Sequence, residues 1–285
     1  MKHALAILAA SALLLPHVAS ADIAIKDGQK IGFMGDSITA AGARPGGYCN
    51  LFVSMLAENG IKVTPVYKGI SGHKSNQMLA RLDKDILSQK PDWMTLSCGV
   101  NDVWHGKRGV ELEDYKKNIT EIVDKCQAAG TKVVILTSTM IKEDADNDLN
   151  KKLAAYNDFL RELAKEKNCL IADLNADMQE AVKNPPPGQP EGKTVTTDGV
   201  HMNIYGNMMM AKGVARAFGF NDEQLAAAEK SWRNLEGLVQ VRPAPLKLSL
   251  AQQEKLNKVT AEKGTTLNDV LKDAQEKAIK ELLGE

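Results

Sequence analysis

The chain predicts an α/β protein, a doubly wound three-layer sandwich around a five-stranded parallel sheet. Two observations predict it. Five short apolar runs, "KIGFMG", "IKVTPVYK", "DWMTLSC", "TKVVILT" and "CLIADL", are mostly rich in β-branched residues, as strands covered on both faces are. Between them lie amphipathic segments of helical period, "YCNLFVSMLAENG", "SNQMLARLDKDILSQ", "LEDYKKNITEIVDKCQAAG" and "DLNKKLAAYNDFLRELAKEKN". Three of these end in the Gly or Asn expected just past a helix C-terminus. Repeated β-α units connect parallel strands by crossovers, which leaves helices on both faces of the sheet.

Before the first strand, Lys2 and His3 precede the apolar run "ALAILAASALLL", and Ala19-Ser20-Ala21 supplies a small-x-small cleavage pattern. Residues 1–21 are expected to be a signal peptide, giving an exported, periplasmic or secreted protein; the run is too short for a membrane anchor. After the fifth strand, "KNPPPGQPEGKTVTTDGVHMN" is expected to be loop, because consecutive prolines exclude helix and central strand. A last core helix is expected over about 204–218. The sandwich is thus expected to fill 22–220, with 221–285 a helical extension. In that extension Ser249 with Gln252 and Thr266 with Asp269 have capping-box spacing, and Leu267, Leu271, Ala274, Ala278 and Leu282 form one apolar stripe. A helical hairpin packed on the domain is the first expectation for it, with dimerisation or envelope docking as alternatives.

The 285 residues carry 36 basic and 36 acidic side chains, and aromatics make up only 5 %. Such a balance points away from a nucleic-acid groove. The cysteines, Cys49, Cys98, Cys126 and Cys169, have no zinc-ligand spacing.

Four polar clusters carry the chemistry. "GDS" (35–37) follows the first strand, "GISGHKS" (69–75) the second and "GVND" (99–102) the third, while "DGVH" (198–201) lies in the long loop. Loops that follow the strands of an open α/β sheet emerge at its carboxyl edge, where ligands bind. A serine hydroxyl needs a neighbouring base to become a nucleophile; His201 is the candidate base, and Asp198 the acid that orients it. The backbone N–H groups of Ser37 and Gly72 and the amide of Asn101 are the candidate oxyanion donors. Taken singly, each cluster is ordinary turn chemistry. "GISGHKS" is not a phosphate loop, since Lys68 and His73 occupy the positions where that motif requires Gly. Asp36 and Asp102 are expected to fix loops by hydrogen bonds, Trp104, His105 and His73 are candidate substrate contacts, and Met208–Met210 are expected to fill core.

With Gly35-Asp36-Ser37, Gly72, Asn101 and Asp198-x-x-His201 in this order, the chain resembles the SGNH hydrolases of the GDSL-like esterase/lipase superfamily over about 30–218. Ile38 stands where the family's name-giving motif has Leu. The resemblance implies a flavodoxin-like α/β/α sandwich and a serine esterase that needs no metal or organic cofactor. Among exported members, short acyl or O-acetyl groups on carbohydrates are the leading substrate, which makes an acetylated glycan the expected partner. A lysophospholipase or thioesterase for longer acyl chains, and a non-catalytic glycan-binding or envelope protein on the same fold, are the alternatives. On this fold Cys49 and Cys98 fall towards one edge of the sheet and Cys126 and Cys169 towards the other. The expectation is therefore 49–98 and 126–169 disulfides, or none.

Overall fold

The computed structural model describes residues 23–186, 189, 191–235, 249–262 and 264–285. The expected signal peptide, 1–21, lies outside them, as do 187, 188 and 190 of the proline-rich loop. In chain order the elements are β1 (Lys30–Gly35), α1 (Ser37–Gly42), α2 (Tyr48–Glu58), β2 (Thr64–Gly69), α3 (Ser75–Asp85), β3 (Trp93–Ser97), α4 (Val100–Trp104) and α5 (Leu112–Ala128). There follow β4 (Lys132–Leu136), α6 (Asp148–Glu166), β5 (Leu170–Ala172), α7 (Leu174–Lys183), α8 (Ile204–Ala217), α9 (Asp222–Arg233), α10 (Leu250–Glu262) and α11 (Leu267–Leu283).

All strands are parallel, in the order β2-β1-β3-β4-β5. This is the flavodoxin-like order, whose direction of winding reverses between β1 and β3 and so opens a crevice at their carboxyl ends. The central strands β1, β3 and β4 are buried almost throughout, as their apolar runs required. The edge strand β2 is only half-buried and tolerates Pro65, which a central strand would not. It begins later than its apolar run suggests, because the Lys62 N–H and C=O are spent on Asp27 and Gly28 rather than on the ladder. At the other edge β5 is cut short by Asp173, whose carboxylate caps α7 through the Ala176 N–H.

Two connections decide where the chemistry sits. Helix α1 leaves β1 at once and crosses the end of β2, where Gly69 leaves room: a Cβ there would strike the backbone of Thr39 and Ala40. Helix α8, capped by the Asn203 side chain on the N–H groups of Tyr205 and Gly206, buries Met208, Met209 and Met210 in the core.

The chain divides into two compact units, 1–239 and 240–285. The boundary expected after residue 220 therefore falls later, for a packing reason. Helix α9 presents Leu225, Ala228 and Trp232 on one face, all three buried, and the Trp232 Nε1–H donates to Ser54 Oγ at 3.2 Å. In the second unit α10 and α11 pair, and both expected capping boxes form: Ser249 with Gln252, and Thr266 with Asp269. All four cysteines are free thiols, three of them buried. Among the described residues no helix is long and apolar enough to cross a membrane.

Trp232→Ala should destabilise the first unit by about 3–5 kcal/mol, the usual cost of emptying a large aromatic site. Urea unfolding followed by far-UV circular dichroism measures it, and a loss under about 1 kcal/mol would detach α9 from the core.

Candidate active site

Ser37 is the first residue of α1, and the cap of that helix is Asp36, whose Oδ1 accepts the Ile38 N–H at 2.9 Å. The Ser37 hydroxyl is thereby held at the carboxyl end of β1, beside the winding reversal. From the loop that leads into α8, His201 reaches it: Nε2 lies 2.9 Å from Ser37 Oγ, and Nδ1 lies 2.7 Å from Asp198 Oδ2. The ring bond to Asp198 puts the proton on Nδ1 and leaves Nε2 to accept from the hydroxyl. Asp198 is itself fixed, since its Oδ1 accepts the N–H groups of Val200 at 3.0 Å and His201 at 2.8 Å. Burial pushes its carboxyl up, but those bonds and the His201 ring outweigh burial and hold it down at about 2. Asp198 is therefore an anion wherever the protein is at neutral pH.

The expected oxyanion donors come from three separate connections. Asn101, buried near the start of α4, donates from Nδ2 to Asp36 Oδ2 and to the His73 carbonyl, each at 3.2 Å. These bonds join the β3 connection to the β1 and β2 connections. Gly72 stands at φ +76° with open space where a Cβ would project. Neither its N–H nor that of Ser37 has an acceptor among the described residues. The arrangement can accept a proton from a hydroxyl, orient the resulting imidazolium and donate hydrogen bonds to an anion.

Two buried carboxylates do fix loops, as expected. Asp102 Oδ1 accepts both the Ser75 N–H, at 2.9 Å, and the Ser75 hydroxyl, at 2.6 Å, anchoring the start of α3. Asp36 is driven up to about 6, chiefly by burial, with the Ile38 N–H opposing and the nearby Asp102 charge adding to it. His73 lies behind the Asn101 bond: Arg81 donates from Nε to its Nδ1 at 3.1 Å, so its ring proton sits on Nε2. Burial, Arg81 and Lys74 lower the His73 pKa, with Asp85 opposing. Trp104 is 43 % exposed, with its ring stacked 6.3 Å from that of His105.

Two contributors gave no signal in the sequence. Arg81 also donates to the carbonyls of Gly35 and Lys68 and to Asp85, tying the ends of β1 and β2 together. Glu143, beyond β4, accepts hydrogen bonds from the loop that carries Asp198 and His201. Neither stands in a motif, and their partners are brought to them only by the fold.

Residues 33–208 match the model of the GDSL-like Lipase/Acylhydrolase family. The chain belongs to this family. As an SGNH hydrolase it is a carboxylic ester hydrolase, and its relatives are of that kind. An acetylxylan esterase of Geobacillus stearothermophilus is 30 % identical over 218 residues, which cover 69 % of this chain and 96 % of that one. The crystal structure of Axe2, an acetylxylan esterase from the same organism, superposes with a TM-score of 0.63 at 28 % identity, covering 70 % of this chain and 97 % of its own. The acetyl xylan esterase AlAXEase gives 0.61 at 33 % identity over 66 % of this SGNH hydrolase and 98 % of itself. Catalytic mutants of Axe2 at a serine, an aspartate and a histidine have also been solved.

The raised Asp36 carboxyl makes a pH prediction. An unfolded aspartate loses its proton near pH 3.9, whereas folded Asp36 keeps it to about 6. Between these values the folded state binds more protons, so stability falls as pH rises through the window. Urea unfolding at a series of pH values should show wild type losing stability relative to Asp36→Asn from about pH 4 to 6; parallel curves would contradict the burial of an ionisable group there.

Proposed function

We propose that the chain is an exported serine esterase that removes short acyl groups, O-acetyl above all, from carbohydrates. The observation that carries the reading is the pair of bonds from Ser37 Oγ to His201 Nε2 and from His201 Nδ1 to Asp198 Oδ2, at 2.9 and 2.7 Å. As Ser37 Oγ attacks the ester carbonyl carbon, its proton passes to His201 Nε2, and the ionised Asp198 stabilises the imidazolium. The carbonyl oxygen becomes an oxyanion that the N–H groups of Ser37 and Gly72 and the Asn101 amide can meet. Both Asn101 bonds are long at 3.2 Å, so a charged oxygen competes well for that amide. Collapse expels the alcohol, protonated by His201, and leaves an acyl-enzyme; water, deprotonated by His201, then releases the acid. No metal or organic cofactor enters these steps.

The substrate class rests on two supports. The acetylxylan esterase relatives are covered over nearly their whole length. Trp104 and Ile70 are exposed large hydrophobic side chains, and each lies within three residues of an expected oxyanion donor, Asn101 and Gly72 respectively. An exposed flat aromatic face suits the apolar face of a sugar ring. Export rests on the apolar run "ALAILAASALLL" and the small-x-small pattern that ends at Ala21.

On p-nitrophenyl acetate, Ser37→Ala should cost at least about a thousandfold in kcat, and Asn101→Ala about 100- to 1000-fold with little change in KM. Wild type should prefer acetate to octanoate esters and release acetate from acetylated xylo-oligosaccharides. Equal turnover by Ser37→Ala would refute the mechanism, and octanoate above acetate would refute the substrate class.

A further inference from the structure

Asp198 and His201 share a small loop closed by its own hydrogen bonds. An isolated antiparallel bridge pairs Thr196 with Met202, the Thr197 N–H donates to the His201 carbonyl at 2.8 Å, and the Asn203 N–H donates to the Val195 carbonyl at 3.0 Å. Because these bonds, and those inside the Asp198–His201 pair, are internal, they fix the shape of the loop but not its distance from Ser37. That distance depends on what holds the loop to the sheet.

On one side the Asn203 amide ties the loop to α8 through the carbonyls of Lys193, Thr194 and Thr196, and on the other a single side chain reaches it from the connection beyond β4. Glu143 lies in the connection between β4 and α6. Its Oε1 accepts the Val195 N–H at 2.9 Å, the Thr196 N–H at 2.8 Å and the Thr196 hydroxyl at 2.7 Å. Its Oε2 accepts the Thr194 N–H at 2.6 Å. Three consecutive backbone N–H groups thus converge on one carboxylate, the arrangement by which backbone nests bind anions. The neighbouring Lys142 N–H donates to the Gly199 carbonyl at 2.6 Å, so the same segment touches the loop at its base and at its tip.

We infer that Glu143 is a positioning residue of the esterase: by gripping residues 194–196 it sets where His201 stands against Ser37. It touches neither substrate nor the reacting atoms. The inference rests on the Ser37–His201 reading of the site and adds to it the group that registers the loop. A displacement of about 1 Å in such a constellation lowers turnover by about 100-fold, whereas the surfaces that bind substrate, on the β1, β2 and β3 connections, do not depend on this grip. The effect therefore falls on kcat and spares KM.

The experiment uses the full chain, with wild type, Ser37→Ala, Glu143→Ala, Glu143→Gln and Glu143→Asp assayed on p-nitrophenyl acetate. Folding is checked by thermal melts, and competent sites are counted by titration with an organophosphate. Glu143→Ala should lose about 10- to 100-fold in kcat per folded molecule with KM within about twofold. Glu143→Gln keeps one carbonyl oxygen for the Oε1 donors but turns an N–H towards Thr194, and should lose less. Glu143→Asp should recover part of the loss. Formate at millimolar levels, a carboxylate that fits the vacated nest, should raise kcat of Glu143→Ala severalfold and leave wild type unchanged. If Glu143→Ala does not fold, the Gln and Asp variants carry the test through the same kcat-against-KM split. Wild-type kcat in the Glu143 variants, or a loss that follows the folded fraction or appears in KM, overturns the inference. If Ser37→Ala is as active as wild type, the Ser37–His201 reading itself fails, and that outcome is distinct from the others.

Discussion

Asp36 is the group on which the site's geometry depends. One of its oxygens caps the helix that begins with Ser37, and the other holds the Asn101 amide, although Ser37 and Asn101 belong to different connections. Without this bridge a hydroxyl on α1 and an amide on α4 would be registered only through the strands beneath them and the longer path by way of His73 and Arg81. A nearly fully buried carboxylate is an expensive choice for folding, because desolvation disfavours its charge. The neighbouring Asp102 repeats the choice, accepting two bonds from Ser75 at the head of α3. Together the two acids fix three connections at the carboxyl edge at the expense of stability, a trade expected at functional sites.

The sheet order explains why this edge is the place. Strands β1 and β3 are neighbours, yet the chain runs outward to β2 before it returns, so the connections leaving β1 and β3 diverge and open a crevice. Ser37 comes from one side of that crevice and Asn101 from the other. His201 and Asp198 arrive from a different direction, on the loop before α8, held from beyond β4. Asp198 differs from the two deep acids in kind as well as position: its hydrogen bonds overcome burial and keep it charged, while burial dominates at Asp36. Environments that push carboxyl groups apart in this way assign them to separate roles.

Much of this was legible in the sequence. The run "KIGFMG" is β1 without adjustment, and the four polar clusters fall on connections at the carboxyl edge. Local periodicity and cap chemistry suffice for such features. What escaped were short or context-dependent elements. Helices α1 and α4 are one to two turns long, too short for a periodic signal. The apolar face of α9 was hidden in a charged segment, although Leu225, Ala228 and Trp232 have helical spacing. Arg81 and Glu143 could not be found at all, since their acceptors and donors are distant in sequence and meet them only in the folded chain. Residues that do chemistry carry motifs; residues that hold others in place need not.

The central claim is that Ser37 is the nucleophile activated by His201. Its most direct measurement is peptide mass spectrometry after brief reaction with an organophosphonate ester. A covalent adduct on Ser37, formed in step with loss of esterase activity and absent from the His201→Ala variant, is the predicted result. Complete inactivation with the adduct on another residue, or full activity with Ser37 modified, would contradict it.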